Sequence, residues 1–214
     1  MIRLLLADEY VIVREGLKQL LDGASDIVII DEAGSPQEVV DKVWKKDPDM
    51  VLLEISMSGR KGLDILEQLK RDKPALKTLV LSMLPEEQYA IRAIKAGAFG
   101  YLTKKCSSNE LIRAIRMVSI GKKYINYSIA EKLAYYLERE DERPLHESIS
   151  NREYQVLRMI TSGKTVSEIA GELSLSVKTI STYRLRILEK TKMKNNAELI
   201  HYAVRNDLFN ELQQ

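Results

Sequence analysis

The feature that most constrains the fold is a strict alternation of short apolar runs with amphipathic stretches over the first 120 residues. Between and after the apolar runs, hydrophobic residues recur at helical spacing, which predicts helices. Such alternation is typical of a doubly wound parallel sheet with helices on both faces. We therefore predict a five-stranded α/β domain over residues 1–120. The predicted strands are Ile2–Ala7, Ile27–Asp31, Met50–Leu53, Thr78–Leu81 and Gly100–Leu102.

The pattern changes after residue 120. Residues 121–147 hold an amphipathic stretch, Ile129–Glu138, and then a charged run that ends at Pro144. A charged run closed by proline is typical of a linker. We predict a linker containing one helix over residues 121–147.

Residues 148–214 have helical periodicity throughout, which predicts a separate all-α domain. This part carries 10 lysines and arginines against 7 acidic residues, a mild excess that is compatible with nucleic acid. Three places have the side chains that begin helices: Ser150 with Glu153, Thr165 with Glu168, and Ser176.

Composition narrows the class of protein. A single cysteine, Cys106, excludes an internal disulfide and fits a reducing compartment. There is no run of about 18 apolar residues that would cross a membrane, and the N-terminus lacks the layout of a secretory signal. We expect a cytoplasmic protein that does not contact a membrane.

Polar residues follow the predicted strands. Asp8 and Glu9 come after the first strand, Glu54 after the third, Ser82 after the fourth and Lys104 after the fifth. Because parallel strands end at one edge of the sheet, where such sheets place their functional sites, these side chains are expected to converge.

Three segments resemble the receiver domain of two-component response regulators, which has a flavodoxin-like fold. They are Leu5–Glu9, Val51–Met57 and Gly97–Lys104. The resemblance implies a sensor kinase as a partner. It suggests Mg²⁺ as a cofactor, but we expect that the protein requires no cofactor. It also implies roles for single residues: Asp8 and Glu9 as a pair that could hold Mg²⁺, Glu54 at the phosphoacceptor position, Ser82 and Tyr101 as switch residues, and Lys104 as the phosphoryl-binding lysine.

The chain departs from that family at the acceptor, where Glu54 replaces an aspartate. One added methylene moves the carboxylate by roughly 1 Å, and misplacement of that size can cost about 100-fold in rate. Nearby positions differ too: Tyr10 and Val11 replace a histidine and a proline, Ser58 a proline, and Lys61 an acid. We predict a receiver that is not switched by phosphorylation. One alternative is a working receiver that has unusual residues around its acceptor site. The other is a glutamate that an experimenter introduced to mimic phosphorylation.

The C-terminal part resembles the LuxR-type (NarL/FixJ) helix-turn-helix domain. The segments that carry the resemblance are Ser150–Glu153, Gly163–Ala170, Leu175–Tyr183 and Ile187–Lys190. The resemblance implies binding to double-stranded DNA as a homodimer, with the third of these segments starting the recognition helix.

A helical wheel divides that helix into two faces. Four apolar residues are predicted to face the core: Val177, Ile180, Ile187 and Leu188. The residues predicted to contact DNA are Lys178, Thr179, Ser181, Thr182, Leu185 and Arg186. On the last helix, Leu199, Ile200 and Ala203 share one face, for which the alternatives are pairing of two protomers and packing within the domain.

These observations favour a dimeric, sequence-specific transcription regulator that is not an enzyme. An ordinary phosphorylation-switched regulator is one alternative. Another is a phosphotransfer catalyst that dephosphorylates a partner kinase, against which Glu54 argues. A third is an interaction module whose receiver docks a protein or a small ligand.

Overall fold

A computed structural model describes residues 1–57, 62–127, 129–131, 144–206 and 208. The chain divides into two compact units, residues 1–131 and 132–214. Ser58, Lys61 and the part of the predicted linker helix beyond Glu131 lie outside the described residues.

The first unit contains the predicted sheet. Its strands are parallel and lie in the order β2-β1-β3-β4-β5. β2 runs two residues further than expected because Glu32 and Ala33 still pair with Leu6 and Ala7 of β1. The strands are β1 (Ile2–Ala7), β2 (Ile27–Ala33), β3 (Met50–Leu53), β4 (Lys77–Ser82) and β5 (Gly100–Thr103).

Helices cover both faces of this sheet, which confirms the doubly wound α/β class. Leu4 and Leu6 of β1 join a buried cluster with α1 and α5, whereas Leu5 between them points to the opposite face. On that opposite side α3 packs against both α2 and α4. The helices are α1 (Val11–Leu21), α2 (Pro36–Lys46), α3 (Gly62–Asp72), α4 (Glu86–Ala96) and α5 (Ser108–Ser119).

A short stretch after α5, here called the edge segment (residues 122–126), lies against the outer edge of β5. Tyr124 N donates to Phe99 O at 2.8 Å, and Tyr124 forms a parallel bridge with Gly100. Lys123 Nζ donates to Ala98 O at 2.7 Å and lies 4.3 Å from the centre of the Phe99 ring. The first unit therefore continues past residue 120, and the edge segment covers backbone groups that an exposed edge strand would leave unpaired.

The second unit is all-α, as predicted. Its described helices are α6 (Asn151–Thr161), α7 (Val166–Glu172), α8 (Val177–Thr191) and α9 (Asn196–Arg205), preceded by a 3₁₀ turn at Leu145–Glu147. The predicted capping boxes at Ser150 and Thr165 and the Ser176 cap are confirmed. Across the stretches of chain with described structure, no helix is long and apolar enough to span a membrane.

Gly100 provides a test of the edge segment. A Cβ added there would lie 2.7 Å from the backbone oxygen of Tyr124 and 2.9 Å from Leu79 Cδ1, so the segment would have to move. We expect Gly100→Ala to lower the free energy of unfolding by about 1–3 kcal/mol. Gly16→Ala is the control: its Cβ meets nothing within 4 Å on α1, and it should stabilise by about 0.5–1 kcal/mol. Urea denaturation measures both, and equal effects would refute the packing argument.

Candidate functional site

The backbone of the sheet brings the predicted receiver residues to one edge. Glu54 N donates to Ala7 O at 2.8 Å, and Lys104 N donates to Ser82 O at 2.8 Å, so the strand pairing continues just beyond the strands. Asp8 follows β1 and is tied in the same way to β2. Asp8, Glu54 and Ser82 are buried, with at most 2% of their surface exposed.

The two carboxylate oxygens of Glu54 have different contacts, hydrogen bonds at one and an ion pair at the other. Its Oε1 accepts from Ser82 Oγ at 2.5 Å and from the backbone N–H of Ser56 at 2.8 Å. Its Oε2 lies 2.9 Å from Lys104 Nζ, which makes an ion pair, but accepts no hydrogen bond from the residues whose structure is described. The longer side chain thus reaches the hydroxyl and the lysine together.

Lys104 also binds Asp8. Its Nζ lies 2.5 Å from Asp8 Oδ2, while Asp8 Oδ1 accepts from the backbone N–H of Tyr10 at 2.9 Å. Burial disfavours a charged ammonium, but the hydrogen bonds to Asp8 and Glu54 outweigh that cost and raise the pKa of Lys104 above its ordinary value. A charged ammonium therefore bridges two buried carboxylates.

The second switch position, Tyr101, lies on β5 with its side chain buried. Its hydroxyl donates to Leu84 O at 2.8 Å, and Leu84 N donates to Ser82 Oγ at 3.2 Å. The loop after β4 thus connects Tyr101 with the hydroxyl that binds Glu54.

The predicted magnesium pair is not arranged as a metal site. Glu9 is partly exposed, next to Asp8 on the loop after β1, and both oxygens of Asp8 already accept donors. Mg²⁺ needs near-octahedral oxygen ligands at about 2.1 Å. Within the described parts of the chain, no three His, Cys, Asp or Glu side chains are grouped to hold an ion. The donors present do not fit Mg²⁺ while Lys104 lies between the acids.

The predicted DNA-contacting residues lie on α8 with different exposure. Lys178, Thr182, Leu185 and Arg186 are exposed, whereas Thr179 and Ser181 are half-buried. A cleft of about 340 Å³ is lined by Ser176, Lys178, Thr179, Thr182, Tyr183 and Arg186. Tyr183 and Ser176 were not among the predicted contacts, although both neighbour residues that were.

Internal hydrogen bonds restrict several of these side chains. Thr182 Oγ1 donates to Lys178 O at 2.9 Å, and the hydroxyls of Thr179 and Ser176 are 2.8 Å apart. Arg184 Nε donates to Asn196 Oδ1 at 2.7 Å, which fixes the start of α9 against α8. Lys178 and Arg186 are the exposed cations of the cleft.

The apolar face of α8 is buried with one exception. Ile180, Ile187 and Leu188 lie in the core, but Val177 is 50% exposed because it is the first residue of the helix and precedes the packed turns. The prediction that Val177 faces the core is therefore wrong.

The predicted dimer face on α9 needs correction. Leu199 and Ala203 are fully buried in their own domain, so they cannot contact a second protomer. Ile200, at 38% exposed, and its neighbour Val204, at 60%, are the large apolar residues of this helix that remain at the surface.

One ion pair that sequence reasoning missed holds α8 in place. Lys190 Nζ on α8 binds Glu153 Oε2 on α6 at 2.6 Å, and Glu153 also accepts from Ser150 N at 2.7 Å. Burial opposes the charged form of Glu153, but the bonds from Lys190 and Ser150 outweigh it and lower its pKa. The capping-box pattern identified Glu153, whereas nothing in the spacing pointed to Lys190.

Comparisons with known proteins agree with this geometry. Residues 4–116 match the model of the response regulator receiver domain, and residues 147–203 match that of the bacterial regulatory proteins of the luxR family. The response regulator UvrY of Escherichia coli is 35% identical over 211 residues, 98% of this chain and 97% of UvrY. The response regulator GacA of Pseudomonas protegens is 34% identical over 208 residues, 97% of this chain and 98% of GacA.

Solved structures share the fold. RcsB of Salmonella enterica bound to a promoter with the phosphomimetic BeF₃⁻ has a TM-score of 0.66 and 22% identity, covering 94% of this chain and 97% of RcsB. The structure of two RcsB dimers bound to two parallel DNAs has a TM-score of 0.59 and 24% identity, and the match covers 95% of this chain and 98% of that chain. The response regulator ChrA has a TM-score of 0.53 and 26% identity, and the match covers 97% of this chain and 98% of ChrA.

The Glu153–Lys190 pair predicts a pH dependence. Glutamine at 153 can still cap α6 but loses the charge, so Glu153→Gln should cost about 1.5–3 kcal/mol of unfolding free energy at pH 7. Because the pKa of Glu153 is lowered in the folded state, this stabilisation is present above its ordinary pKa and is lost as pH falls through the folded value.

Chemical denaturation from pH 3 to 7 measures the difference between parent and variant, which should shrink below about pH 4.3. The exposed Glu189→Gln on α8 is the control and should change stability by less than about 0.5 kcal/mol. A Glu153→Gln effect that stays constant over this range would rule out the ionic contribution.

Proposed function

The chain belongs to the response regulators that join a receiver domain to a LuxR-family DNA-binding domain, and on that premise we propose that it regulates transcription as a DNA-binding dimer whose receiver does not use phosphorylation. The observation that carries the proposal is the buried Glu54 side chain, which is already bonded to Ser82 and Lys104. The proposal assigns the chain no catalytic step of its own, and it implies a cytoplasmic location because the DNA is there.

The contacts of Glu54 argue against phosphoryl transfer. Ser82 and Lys104 correspond to the groups that bind phosphoryl oxygens in the family, and here both are engaged with the Glu54 carboxylate. To attack a phosphoryl donor, Glu54 would have to leave these partners and move toward solvent. Only 2% of its surface is now exposed. That movement would leave the Lys104 ammonium and the Ser82 hydroxyl without this partner in a buried site.

Glu54 is a partial substitute for a phosphoryl group. It offers one charge and two oxygens, whereas a phosphoryl group carries nearly two charges and three oxygens. A switch shifts only by the difference in free energy applied to its two states. The permanent carboxylate therefore biases the receiver toward the arrangement that phosphorylation would favour and does not lock it there.

The exposed face of α8 fits the major groove. Lys178 and Arg186 can neutralise phosphates or bind guanine edges, and Leu185 can contact a thymine methyl group. Because the Thr182 hydroxyl donates to its own helix, its oxygen and methyl group are what it offers to a base. A helix with this face is the part of a helix-turn-helix domain that reads sequence.

Dimerisation is proposed through the exposed side of α9. RcsB, whose fold this chain shares, binds DNA as dimers. On α9 the large apolar residues available for such a contact are Ile200 and Val204, since Leu199 and Ala203 are buried. A two-fold axis between two such helices would present two copies of α8 to two half-sites. Because the proposed receiver is not phosphorylated, a sensor kinase that acts on this chain would do so by binding to it.

The first test is exposure to phosphoryl donors. After incubation with acetyl phosphate and Mg²⁺, the intact mass of the protein should show no phosphoryl group, and DNA affinity and sedimentation should be unchanged by acetyl phosphate or beryllofluoride. Glu54→Asp, which restores the usual acceptor length, is the comparison variant and should become labelled. A stable phosphoryl group on Glu54, or a monomer that dimerises only with beryllofluoride, would refute phosphorylation independence.

The second test separates backbone from base contacts. Lys178→Ala should weaken binding to every DNA sequence and lower the slope of log affinity against log salt by about 1. Thr182→Ala should instead change the preferred base at one position, with roughly 1–3 kcal/mol lost there. Lys45→Ala, an exposed lysine of the receiver, is the control and should bind like the parent. Parent-like binding by both α8 variants would show that the assigned face is wrong.

A further inference from the structure

Three of the four carboxylate oxygens of Asp8 and Glu54 accept hydrogen bonds from within the chain, and the fourth, Glu54 Oε2, lies in an ion pair with Lys104. Asp8 Oδ1 accepts from Tyr10 N, and Glu54 Oε1 accepts from Ser56 N and Ser82 Oγ. The remaining oxygen of each acid faces one atom, Lys104 Nζ, at 2.5 Å from Asp8 and 2.9 Å from Glu54. The position between the two acids is thus filled by an ammonium group.

That position is also the one a divalent cation would need. Two buried carboxylates without a counter-charge are costly, because each was removed from water. A metal ion or an ammonium can supply the missing positive charge, but both together would place like charges a few ångströms apart. Lys104 is itself well buried, with 13% of its side chain exposed, so it cannot move aside without exchanging these contacts for solvent.

We infer that Lys104 is the resident cation of this edge and takes the place of Mg²⁺, so that the native receiver does not bind divalent cations at millimolar concentrations. The inference rests on the proposed function, in which the edge is not a phosphorylation site. It makes Lys104 a charge-balancing residue that holds Asp8 and Glu54 together.

The length of the Glu54 side chain explains why Lys104 alone can supply the positive charge between the two acids. Its carboxylate meets Ser82 with one oxygen and Lys104 with the other. A side chain one methylene shorter would withdraw by roughly 1 Å from that pair and leave room between the acids. Glutamate at this position therefore favours the internal ammonium over an ion from solution.

Divalent-cation binding by the full-length protein tests the inference. Manganese binding is measured by electron paramagnetic resonance, and thermal unfolding is measured with and without 10 mM MgCl₂ at constant ionic strength, at about tenfold above a millimolar Kd. The variants are Lys104→Met, which removes the charge and keeps an apolar stem, Lys104→Arg, which keeps the charge, and Lys105→Met, an exposed neighbour.

The parent, Lys104→Arg and Lys105→Met should bind no Mn²⁺ below about 1 mM, and their Tm should move by less than about 1 °C with MgCl₂. Lys104→Met should have a lower Tm than the parent, and MgCl₂ should raise it by about 3–6 °C for a tenfold excess over the Kd. If Lys104→Met does not fold, the Mn²⁺ measurements on the parent and Lys104→Arg still decide.

Submillimolar Mn²⁺ binding by the parent would overturn the inference, and so would a folded Lys104→Met that ignores MgCl₂. These results are distinct from failure of the proposed function. A parent that binds Mn²⁺ but takes no phosphoryl group from acetyl phosphate overturns only the role of Lys104. A parent that is phosphorylated on Glu54 overturns both.

Discussion

Parallel strands bring the residues that follow them to one edge of the sheet, and in this receiver that edge holds two buried acids for which Lys104 supplies the counter-charge. Removing either partner of a buried ion pair leaves an uncompensated charge, which is far more costly than losing a surface pair. The lysine therefore constrains β1, β3 and β5 together, since Asp8, Glu54 and Lys104 follow those strands directly. The surrounding leucines of β1 supply the apolar burial, and the three charges determine how the strand ends meet.

The fold and the convergence of these residues could be predicted from the sequence because both depend on side-chain type and spacing. The strands were found to within two residues, and Glu54, Ser82 and Lys104 meet as the parallel topology requires. The donors from Tyr10 and Ser56 could not be predicted, since a backbone N–H is present at every position except proline and carries no sequence signal. The edge segment was missed for a related reason: its pairing with β5 uses main-chain atoms of residues that were interpreted as a linker.

In the DNA-binding domain the same reasoning predicted which face of a helix is apolar but not how deeply each residue of that face is buried. A helical wheel places Val177 and Ile180 on one side of α8, yet Ile180 is fully buried whereas Val177 is half exposed. On α9 the wheel grouped Leu199, Ile200 and Ala203, and two of them turned out to fill the core of their own domain. Periodicity reports the phase of an apolar face, whereas the number of packing partners at each position depends on helices elsewhere in the chain.

A permanent carboxylate changes what the receiver can do as a switch. Ligands shift a two-state equilibrium only when they are added or removed and interact differently with the two states. Under the proposed function, the bonds of Glu54 to Ser82 and Lys104 are present in every molecule, so they would set a constant bias and carry no information about a signal. Tyr101 is connected to Ser82 through Leu84, so in the same proposal its position would be subject to that bias. Under the proposed function, a signal that alters DNA binding has to act through another surface of the chain or through the amount of protein in the cell.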